Sequence, residues 1–377
     1  MLIMDKDVGT LIYRGAVETI GEKELKEKLL SKQKLRIKLG IDPTSPNLHI
    51  GHAVSILKLR DFQNEGHKVV LIIGDFTAVI GDTSDKDSER PMLSRETIEE
   101  NKKTYFEQIG KLIDLNKAEL RYNSEWLEPL SYREIGEHAD QFSISDFIAR
   151  DNIKRRLDAG KRVSLREVLY PLMQGYDSVA VHADVEIGGV DQRFNLLAGR
   201  TLQERYGQKP QSIIMYPLLM GLDGRKMSKS YDNAVWLTDT PEDMYGKIMS
   251  LDDAYVEEYF ADCTRVFMPE IDRIMESHPK EAKMRLAFEI TKLYHGEESA
   301  KKAQSEFKET FSKGGIPKDI KTVKAGKDAP LAEILLEHGI VSSKSEFSRL
   351  NKEGAIEEME NGVYRVGKHR FIKIERS

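Results

Sequence analysis

The amino-acid sequence predicts an α/β fold, in which a doubly wound parallel sheet is followed by a helical region and a small α+β unit. Short β-rich apolar runs alternate with helix-length segments through the first half of the 377 residues. The apolar run 69–74 contains no polar residue, which is typical of a strand buried on both faces of a parallel sheet. From residue 241 onward, apolar residues recur at spacings of three and four, which indicates helices.

The predicted elements of the first half follow one another in the order that a parallel sheet requires. A strand at 35–39 is followed by an amphipathic helix at 53–62 and then by the buried strand at 69–74. Two strands joined by such a long crossover lie parallel in one sheet. Further strands are predicted at 120–122, 184–187 and 212–216, with helical pattern between them.

The second half has no predicted strand until its end. Helical periodicity extends over 241–311, and the Gly-, Pro- and Lys-containing stretch 312–330 is interpreted as a linker because it has no sustained periodicity. Two short helices at 331–339 and 344–352 and a last strand at 371–374 form a small α+β unit. These changes of pattern predict three domains, at 1–235, 236–325 and 326–377.

Composition excludes several classes of protein. The chain has 58 Lys and Arg against 63 Asp and Glu, a net charge of -5, so the overall charge gives no indication of a polyanionic partner. The longest apolar run, 69–73, is far below the ~20 residues that span a bilayer, and Asp5 and Asp7 do not fit a secretion signal. One cysteine, Cys263, leaves no internal disulfide or multi-cysteine metal site. We therefore predict a cytoplasmic protein with no membrane partner.

Two histidines flank a glycine in the segment 49–52, between a predicted strand and a predicted helix. His49 and His52 provide imidazole donors, and the backbone N–H groups at a helix start bind anions well. Gly51 allows a ligand to approach the backbone closely. Histidines that lie in a turn by chance are the alternative interpretation of this motif alone.

Two further motifs could bind a charged ligand. Lys226 and Lys229 lie in the loop 226–230, before the helical region; they could clamp phosphates, although a solvated basic loop is the alternative. Ser164 and Glu167 form a capping box, after which Tyr170, Gln174 and Asp177 share one helix face. A phenol, an amide and a carboxylate could bind both ends of an amino acid, and a half-exposed polar face is the alternative.

Together these motifs resemble the class I aminoacyl-tRNA synthetases, whose two signatures stand unaltered at 49–52 and 226–230. Within that class, 170–177 and 188–192 resemble the tyrosyl-tRNA synthetases, and the resemblance covers nearly the whole chain. It implies a Rossmann-like catalytic domain with the phosphate clamp at 226–230, a helical anticodon-binding domain and a small RNA-binding domain. It also implies an enzyme that joins L-tyrosine to ATP, giving tyrosyl-adenylate and pyrophosphate, and then transfers tyrosine to the 3′ end of tRNA(Tyr).

The resemblance gives each matching residue a role. It implies that the tyrosine site contains Asp42, Asp82, Tyr170, Gln174, Asp177 and Gln192, with Asp177 at the phenolic hydroxyl. Asn123 and Trp126 match positions near that site. The implied catalytic residues, around the phosphates and ribose, are Thr44, His49, His52, Lys86, Arg90, Lys226 and Lys229. The implied ATP-binding residues are Gly40, Gly51, Asp191 and Lys229. For Lys86 and Arg90 a solvated loop is the alternative.

The resemblance also implies partners and ions. Mg²⁺ accompanies ATP, no protein-bound zinc is expected, and the family forms homodimers. Candidate RNA contacts are Arg155 and Arg156, in a basic cluster with Arg150 and Lys154, and the C-terminal residues Lys344, Arg349 and Lys352. An ordinary exposed helix face is the alternative for the first cluster.

Two neighbouring positions depart from the family pattern. Many tyrosyl-tRNA synthetases have a tyrosine where this chain has Lys38, and Leu39 replaces a small polar residue. We expect the Lys38 ammonium to pair with Asp177 and to donate to the phenolic oxygen of the substrate. Three other functions remain open on sequence alone: a tryptophanyl-tRNA synthetase, a small nucleotidylyltransferase, and a synthetase-derived RNA-binding protein without catalysis.

Overall fold

The structure is a computed structural model that describes residues 2–84, 88, 92–312, 321–327, 329–341, 343–367 and 370–376. Its first half contains a six-stranded sheet in the order β1-β6-β5-β2-β3-β4. The strands are β1 Glu18–Ile20, β2 Arg36–Ile41, β3 Lys68–Ile73, β4 Glu119–Tyr122, β5 Val185–Gly189 and β6 Ser212–Tyr216. All neighbours are parallel except β1, which runs antiparallel to β6.

The sheet confirms the doubly wound arrangement. From β2 the chain proceeds to β3 and β4 on one side, and then returns to β5 and β6 on the other. The direction of winding therefore reverses between β2 and β5, which is where such sheets bind ligands. The five predicted strands are present, whereas β1 was missed because three residues at a sheet edge carry too little pattern.

Both faces of strand β3 are apolar and buried. Val69, Leu71 and Ile73 of β3 contribute to the main core, and Val70 and Ile72 contribute to a second cluster on the opposite face. The helices of this half are α1 Leu2–Tyr13, α2 Glu22–Leu30, α3 Ile50–Asn64, α4 Thr77–Ile80, α5 Arg95–Lys102, α6 Tyr105–Gly110, α7 Ser124–Leu127, α8 Tyr132–Ala139, α9 Ile144–Ile148, α10 Asp151–Asp158, α11 Leu165–Ala180 and α12 Arg193–Arg205.

The region 241–312 is built of helices, as the periodicity predicted. Thr240 caps the first of them by accepting a hydrogen bond from the backbone N–H of Asp243 at 3.2 Å. Their apolar residues belong to the same core cluster as α3 and the central strands. The helices are α13 Pro241–Met249, α14 Val256–Cys263, α15 Met268–Met275, α16 Pro279–His295 and α17 Glu297–Ser312.

The C-terminal unit is a four-stranded sheet with two helices and its own apolar core. The expected linker 312–330 contains β7 Thr322–Ala325, which pairs in parallel with the last strand, so the small unit begins before residue 326. Strand β7 has only four residues, which is too short a run for an alternating apolar pattern to indicate a strand. The other elements are α18 Leu331–Glu337, α19 Lys344–Lys352, β8 Ile356–Glu358, β9 Val363–Val366 and β10 Arg370–Arg376.

The described residues contain neither a membrane-spanning helix nor a cluster of metal-ligating side chains. None of the described helices is both long and apolar enough to cross a membrane. Within the same part of the chain, no group of three or more His, Cys, Asp or Glu side chains is placed to hold a metal ion.

Candidate active site

A cavity of about 560 Å³ lies at the carboxyl ends of β2, β3, β5 and β6. This is the edge of the sheet where the winding reverses, so the fold brings residues from distant parts of the sequence to one place. The predicted site residues that line the cavity are Gly40, Asp42, Thr44, His49, Gly51, His52, Asp82, Tyr170, Gln174, Asp177, Asp191, Gln192, Lys226 and Lys229. Lys86 and Arg90 lie outside the described residues.

A buried carboxylate, Asp177, marks one end of the cavity. The indole Nε1–H of Trp126 donates to its Oδ1 at 2.8 Å, and the amide of Asn123 donates to its Oδ2 at 3.4 Å. Burial raises the pKa of Asp177 to about 7, and the charge of Lys38 and the two donors oppose that rise. The ionised group can accept one further hydrogen bond from a ligand hydroxyl.

A second carboxylate, Asp42, is connected to Asp177 through a chain of hydrogen bonds. The Tyr170 hydroxyl donates to Asp42 Oδ2 at 2.9 Å, and the Thr77 hydroxyl donates to Asp42 Oδ1 at 2.7 Å. Asn123 donates to Thr77 Oγ1 at 2.9 Å and so completes the connection. A Cβ at Gly74 would lie 2.0 Å from Asp42 Oδ1, so this position requires glycine. The network fixes both carboxylates before any ligand binds.

A third carboxylate, Asp82, lies in the loop after α4. Its Oδ1 accepts hydrogen bonds from the backbone N–H of Ser84 at 3.0 Å and from the Ser84 hydroxyl at 2.7 Å. Arg150 donates to the same hydroxyl at 2.8 Å, and its guanidinium lies over the rings of Phe147 and Phe194. Arg150, which the sequence placed in a basic surface cluster, therefore supports the Asp82 loop.

The two histidines lie together at the start of α3. Their ring centroids are 3.8 Å apart, and the backbone N–H of His49 donates to His52 Nδ1 at 3.3 Å. A Cβ at Gly51 would lie 2.9 Å from His49 Nδ1, so glycine here makes room for the histidine ring as well as for a ligand. Burial, with the charges of His52 and Lys226, lowers the pKa of His49 to about 2. His49 is therefore a neutral imidazole, which can donate one hydrogen bond.

Backbone hydrogen bonds connect the region of the first signature motif to the segment that follows the second motif. The N–H of Ile50 donates to the carbonyl of Val235 at 2.9 Å, and the N–H of Leu237 donates to the carbonyl of Leu48 at 2.9 Å. Between them, Trp236 packs its ring edge-on to His49, with centroids 5.8 Å apart. The segment that follows the basic loop is thus bound to the segment that precedes α3.

The backbone of the basic loop is held by hydrogen bonds at Met227 and Ser228, and its two lysines line the cavity. Met227 is buried, and its N–H donates to the carbonyl of Leu219 at 2.9 Å. The side chain of Asn233 accepts from the N–H of Ser228 at 2.9 Å. Lys226 Nζ lies 3.7 Å from Asp191 Oδ2 across the cavity, and Lys229 is exposed at the mouth. Both ammonium groups are therefore placed for a ligand that carries negative charge.

The expectation for Lys38 is wrong. Its ammonium pairs with Glu186 Oε1 at 2.8 Å and donates to Ser178 Oγ at 2.8 Å and to the carbonyl of Gln174 at 2.9 Å. An ammonium has three donors, so none is left for Asp177 or for a ligand, and Lys38 does not line the cavity. Sequence reasoning missed Glu186, although a carboxylate in the buried strand pattern at 184–187 was a signal that it needs a partner.

The expectation that Arg156 contacts RNA is also wrong. Its side chain is 1% exposed and donates to Glu167 Oε1 at 3.0 Å. Thr83 donates to the other oxygen of Glu167 at 2.6 Å, so the capping-box residue predicted from sequence also neutralises a buried cation. The adjacent Arg155 is exposed. The exposed cations Lys344, Arg349 and Lys352 all lie on α19.

Known proteins of one family are similar to this chain over nearly its whole length. Residues 30–312 match the family described as tRNA synthetases class I (W and Y). The tyrosine–tRNA ligase of Thermotoga maritima is 44% identical over 97% of this chain and 96% of its own length. The tyrosine–tRNA ligase of Idiomarina loihiensis is also 44% identical, over 96% of each chain.

Solved structures have the same fold. A C-terminally truncated mitochondrial tyrosyl-tRNA synthetase of Coccidioides posadasii superposes with a TM-score of 0.66 and 26% identity, covering 81% of this chain and 94% of that one. A tyrosyl-tRNA synthetase of Archaeoglobus fulgidus superposes with a TM-score of 0.64 over 80% of this chain and 99% of that one. At 23% identity, the second comparison concerns the fold alone.

Proposed function

The chain belongs to the class I tRNA synthetases, among the tyrosine–tRNA ligases. We propose the following roles for its residues in joining tyrosine to tRNA. The tyrosine carboxylate attacks the α-phosphorus of ATP, giving tyrosyl-adenylate and pyrophosphate. A hydroxyl of the terminal adenosine of tRNA then attacks the acyl carbon and releases AMP. Neither step passes through a covalent enzyme intermediate, so the protein contributes orientation and stabilisation of charge.

We propose that tyrosine binds with its ring directed toward Asp177. The ionised carboxylate accepts the phenolic hydroxyl, and Trp126 and Asn123 keep it in place. Phenylalanine has no hydroxyl to donate to this buried carboxylate, so the complex would lose one charge-assisted hydrogen bond and the binding energy that it contributes. Tyr170, Gln174 and Asp82 line the cavity where the α-ammonium group would lie, with Asp42 supporting Tyr170. Gln192, in the short 3-10 turn that follows β5, would orient the reacting carboxylate.

ATP would bind between the two signature motifs. Gly40 has no atom within 4 Å of an added Cβ, so the nucleotide can approach the backbone there. Asp191 would hold the ribose hydroxyls, and the neutral His49 would donate to a phosphate oxygen together with Thr44. His52 would lie against the ribose, and Gly51 would leave room beside it.

The cations of the basic loop would act on the leaving pyrophosphate. Lys226 and Lys229 would close over its charge, and Lys226 would leave Asp191 to do so. Lys86 and Arg90 are proposed to assist them. Mg²⁺ enters with ATP as part of the substrate, since we assign it no residue of the chain.

RNA would be bound by the second half of the chain. We propose 236–320 as the anticodon-binding region and 321–376 as a further RNA-binding unit, which presents Lys344, Arg349 and Lys352 from α19 to phosphates. Arg155 remains a candidate for the acceptor stem.

We further propose that the enzyme works as a homodimer in the cytoplasm. Large apolar side chains are exposed on the catalytic half: Tyr132 is 95% exposed, Leu165 80% and Ile144 58%. A monomer gains nothing from apolar surface of this kind, and a second copy of the chain would cover it.

The observation that carries the proposal is the convergence of His49, Lys226 and Asp177 on one cavity. The test is exchange of labelled pyrophosphate into ATP, stimulated separately by tyrosine, tryptophan and phenylalanine, followed by charging of tRNA. We expect stimulation by tyrosine only. Stimulation by tryptophan would indicate the tryptophanyl enzyme, and absence of exchange with all three would indicate an RNA-binding protein without catalysis.

A further inference from the structure

Behind the tyrosine site lies a buried ion pair that the reaction itself does not use. Lys38 is 0% exposed and Glu186 is 1% exposed, and their charged groups are 2.8 Å apart. Removing two charges from water is costly, and an apolar pair of similar size is often at least as stable. The pair therefore has to be explained by what it holds in place.

Every polar side-chain atom of Lys38 and Glu186 has hydrogen-bond partners. Glu186 Oε1 accepts from Lys38 and from Gln174 Nε2, the latter at 3.1 Å. Its Oε2 accepts from Ser178 Oγ at 3.1 Å and from Gln211 Nε2. The three donors of Lys38 go to Glu186, to Ser178 and to the backbone carbonyl of Gln174. The network thus holds both the side chain and the backbone of Gln174.

The hydrogen bond to Glu186 sets the orientation of the Gln174 side-chain amide. Gln174 lines the cavity from α11, and its NH₂ group is directed at Glu186. An amide whose nitrogen is committed to a carboxylate presents its oxygen on the other side. An oxygen facing the cavity attracts an ammonium group, whereas a nitrogen there would repel it. The hydrogen bond to Glu186 thus favours the orientation in which the amide oxygen of Gln174 faces the cavity.

We propose that Lys38 and Glu186 are positioning residues that orient the Gln174 amide so that its oxygen accepts the α-ammonium group of tyrosine. Glu186 supplies the acceptor for the Gln174 nitrogen, and Lys38 provides the opposite charge in contact that a buried carboxylate requires. This inference rests on the proposed binding of tyrosine in the cavity. It replaces the expectation that Lys38 contacts the substrate hydroxyl.

The test compares two ligands that differ only in the ammonium group. Tyrosine and 3-(4-hydroxyphenyl)propionate share the phenol and the carboxylate, and their dissociation constants are measured by calorimetry. The variant Lys38→Met/Glu186→Met removes both charges and the acceptor, and leaves no buried unpaired ion. We expect it to weaken tyrosine about tenfold relative to the propionate, the effect of one hydrogen bond to a charged group.

Rescue and control variants separate positioning from a merely structural role. The quantity compared is the ratio of the dissociation constant of tyrosine to that of the propionate. Lys38→Met/Glu186→Gln keeps an oxygen for the Gln174 nitrogen, so this ratio should return toward that of the wild type. Gln211→Leu removes a partner of the other Glu186 oxygen, and should lower the melting temperature without changing the ratio. Glu186→Asp keeps the charge but shortens the reach to Gln174, and should change the ratio in the same direction by less.

The results that would overturn the proposal are specific. The ratio could stay at the wild-type value in both Lys38→Met/Glu186→Met and Glu186→Asp, or Gln211→Leu could change it as much as they do. If the doubly substituted Met variant does not fold, the outcome for Glu186→Asp decides alone. Pyrophosphate exchange by the wild-type enzyme tests the proposed function separately, so the two failures are distinguishable.

Discussion

The indole of Trp126 offers a direct test of how the tyrosine hydroxyl is recognised. Its Nε1–H donates to Asp177 Oδ1 at 2.8 Å, and this bond helps to hold down a pKa that burial raises to about 7. Trp126→Phe removes the donor and keeps an aromatic ring beneath Arg121, whose guanidinium lies 5.2 Å from the Trp126 ring. The substitution therefore changes the carboxylate more than the packing.

The size of the effect follows from the lost hydrogen bond. A bond to a charged group contributes about 1.5 kcal/mol, which corresponds to about one pKa unit. The pKa of Asp177 should therefore rise from about 7 to about 8. At pH 7.5 the ionised fraction would fall from about three-quarters to about one-quarter, a threefold change.

The direction in which tyrosine binding changes with pH follows from which group donates the hydrogen bond. The phenolic hydroxyl donates to the ionised carboxylate, so tyrosine binding weakens as the pH falls through the pKa of Asp177. The dissociation constant of tyrosine, measured between pH 6 and pH 9, should show a midpoint near pH 7 in the wild type. In Trp126→Phe the midpoint should lie about one unit higher, and the two proteins should converge toward pH 9.

The chain provides a matched control, since its second tryptophan, Trp236, lies beside His49 on the nucleotide side of the cavity. Trp236→Phe should leave the tyrosine midpoint unchanged. If Trp126→Phe had the wild-type midpoint, or weakened tyrosine equally at every pH, the hydrogen bond would not control the ionisation of Asp177 and the reasoning would be refuted.

Three further predictions concern the phosphate site, a buried ion pair and the C-terminal unit. Lys226→Ala should slow pyrophosphate exchange about a hundredfold with little change in tyrosine affinity, because its charge acts on the leaving group; an unchanged rate would contradict this. Arg156→Met should lower stability by roughly 3 kcal/mol in urea unfolding, because Glu167 would be left buried and unpaired, whereas the exposed Arg155→Met should not. A chain that ends at residue 312 should retain pyrophosphate exchange and lose tRNA charging, since residues 321–376 have their own core; equal charging would remove the proposed RNA-binding role.

Much of the fold could be predicted because its signals are local. The run 69–74 could belong only to a buried strand or helix, and its length favoured a strand. The capping box at Ser164 and Glu167 fixed the start of α11 and hence the face that carries Tyr170, Gln174 and Asp177. In contrast, β1 and β7 are short edge strands whose pairing partners lie far away in sequence. Their existence depends on those partners, and no local pattern contains that information.

The sequence predicted which residues belong to the site, and the structure determined which of them are in contact with one another. Spacing in the sequence determined which side chains share a face of one helix, as Tyr170, Gln174 and Asp177 do on α11. The family resemblance of the sequence then implied that two histidines, the basic loop and four aspartates belong to one site, and all of them line the cavity. It could not show that Lys38 pairs with Glu186 rather than with Asp177, or that Arg156 is buried against Glu167. Which partner a charge takes depends on distances of a few ångströms between elements far apart in the chain, because a buried charge requires a partner in contact. Those distances are set by the packing of β2, β5, α10 and α11, and only the tertiary structure contains them.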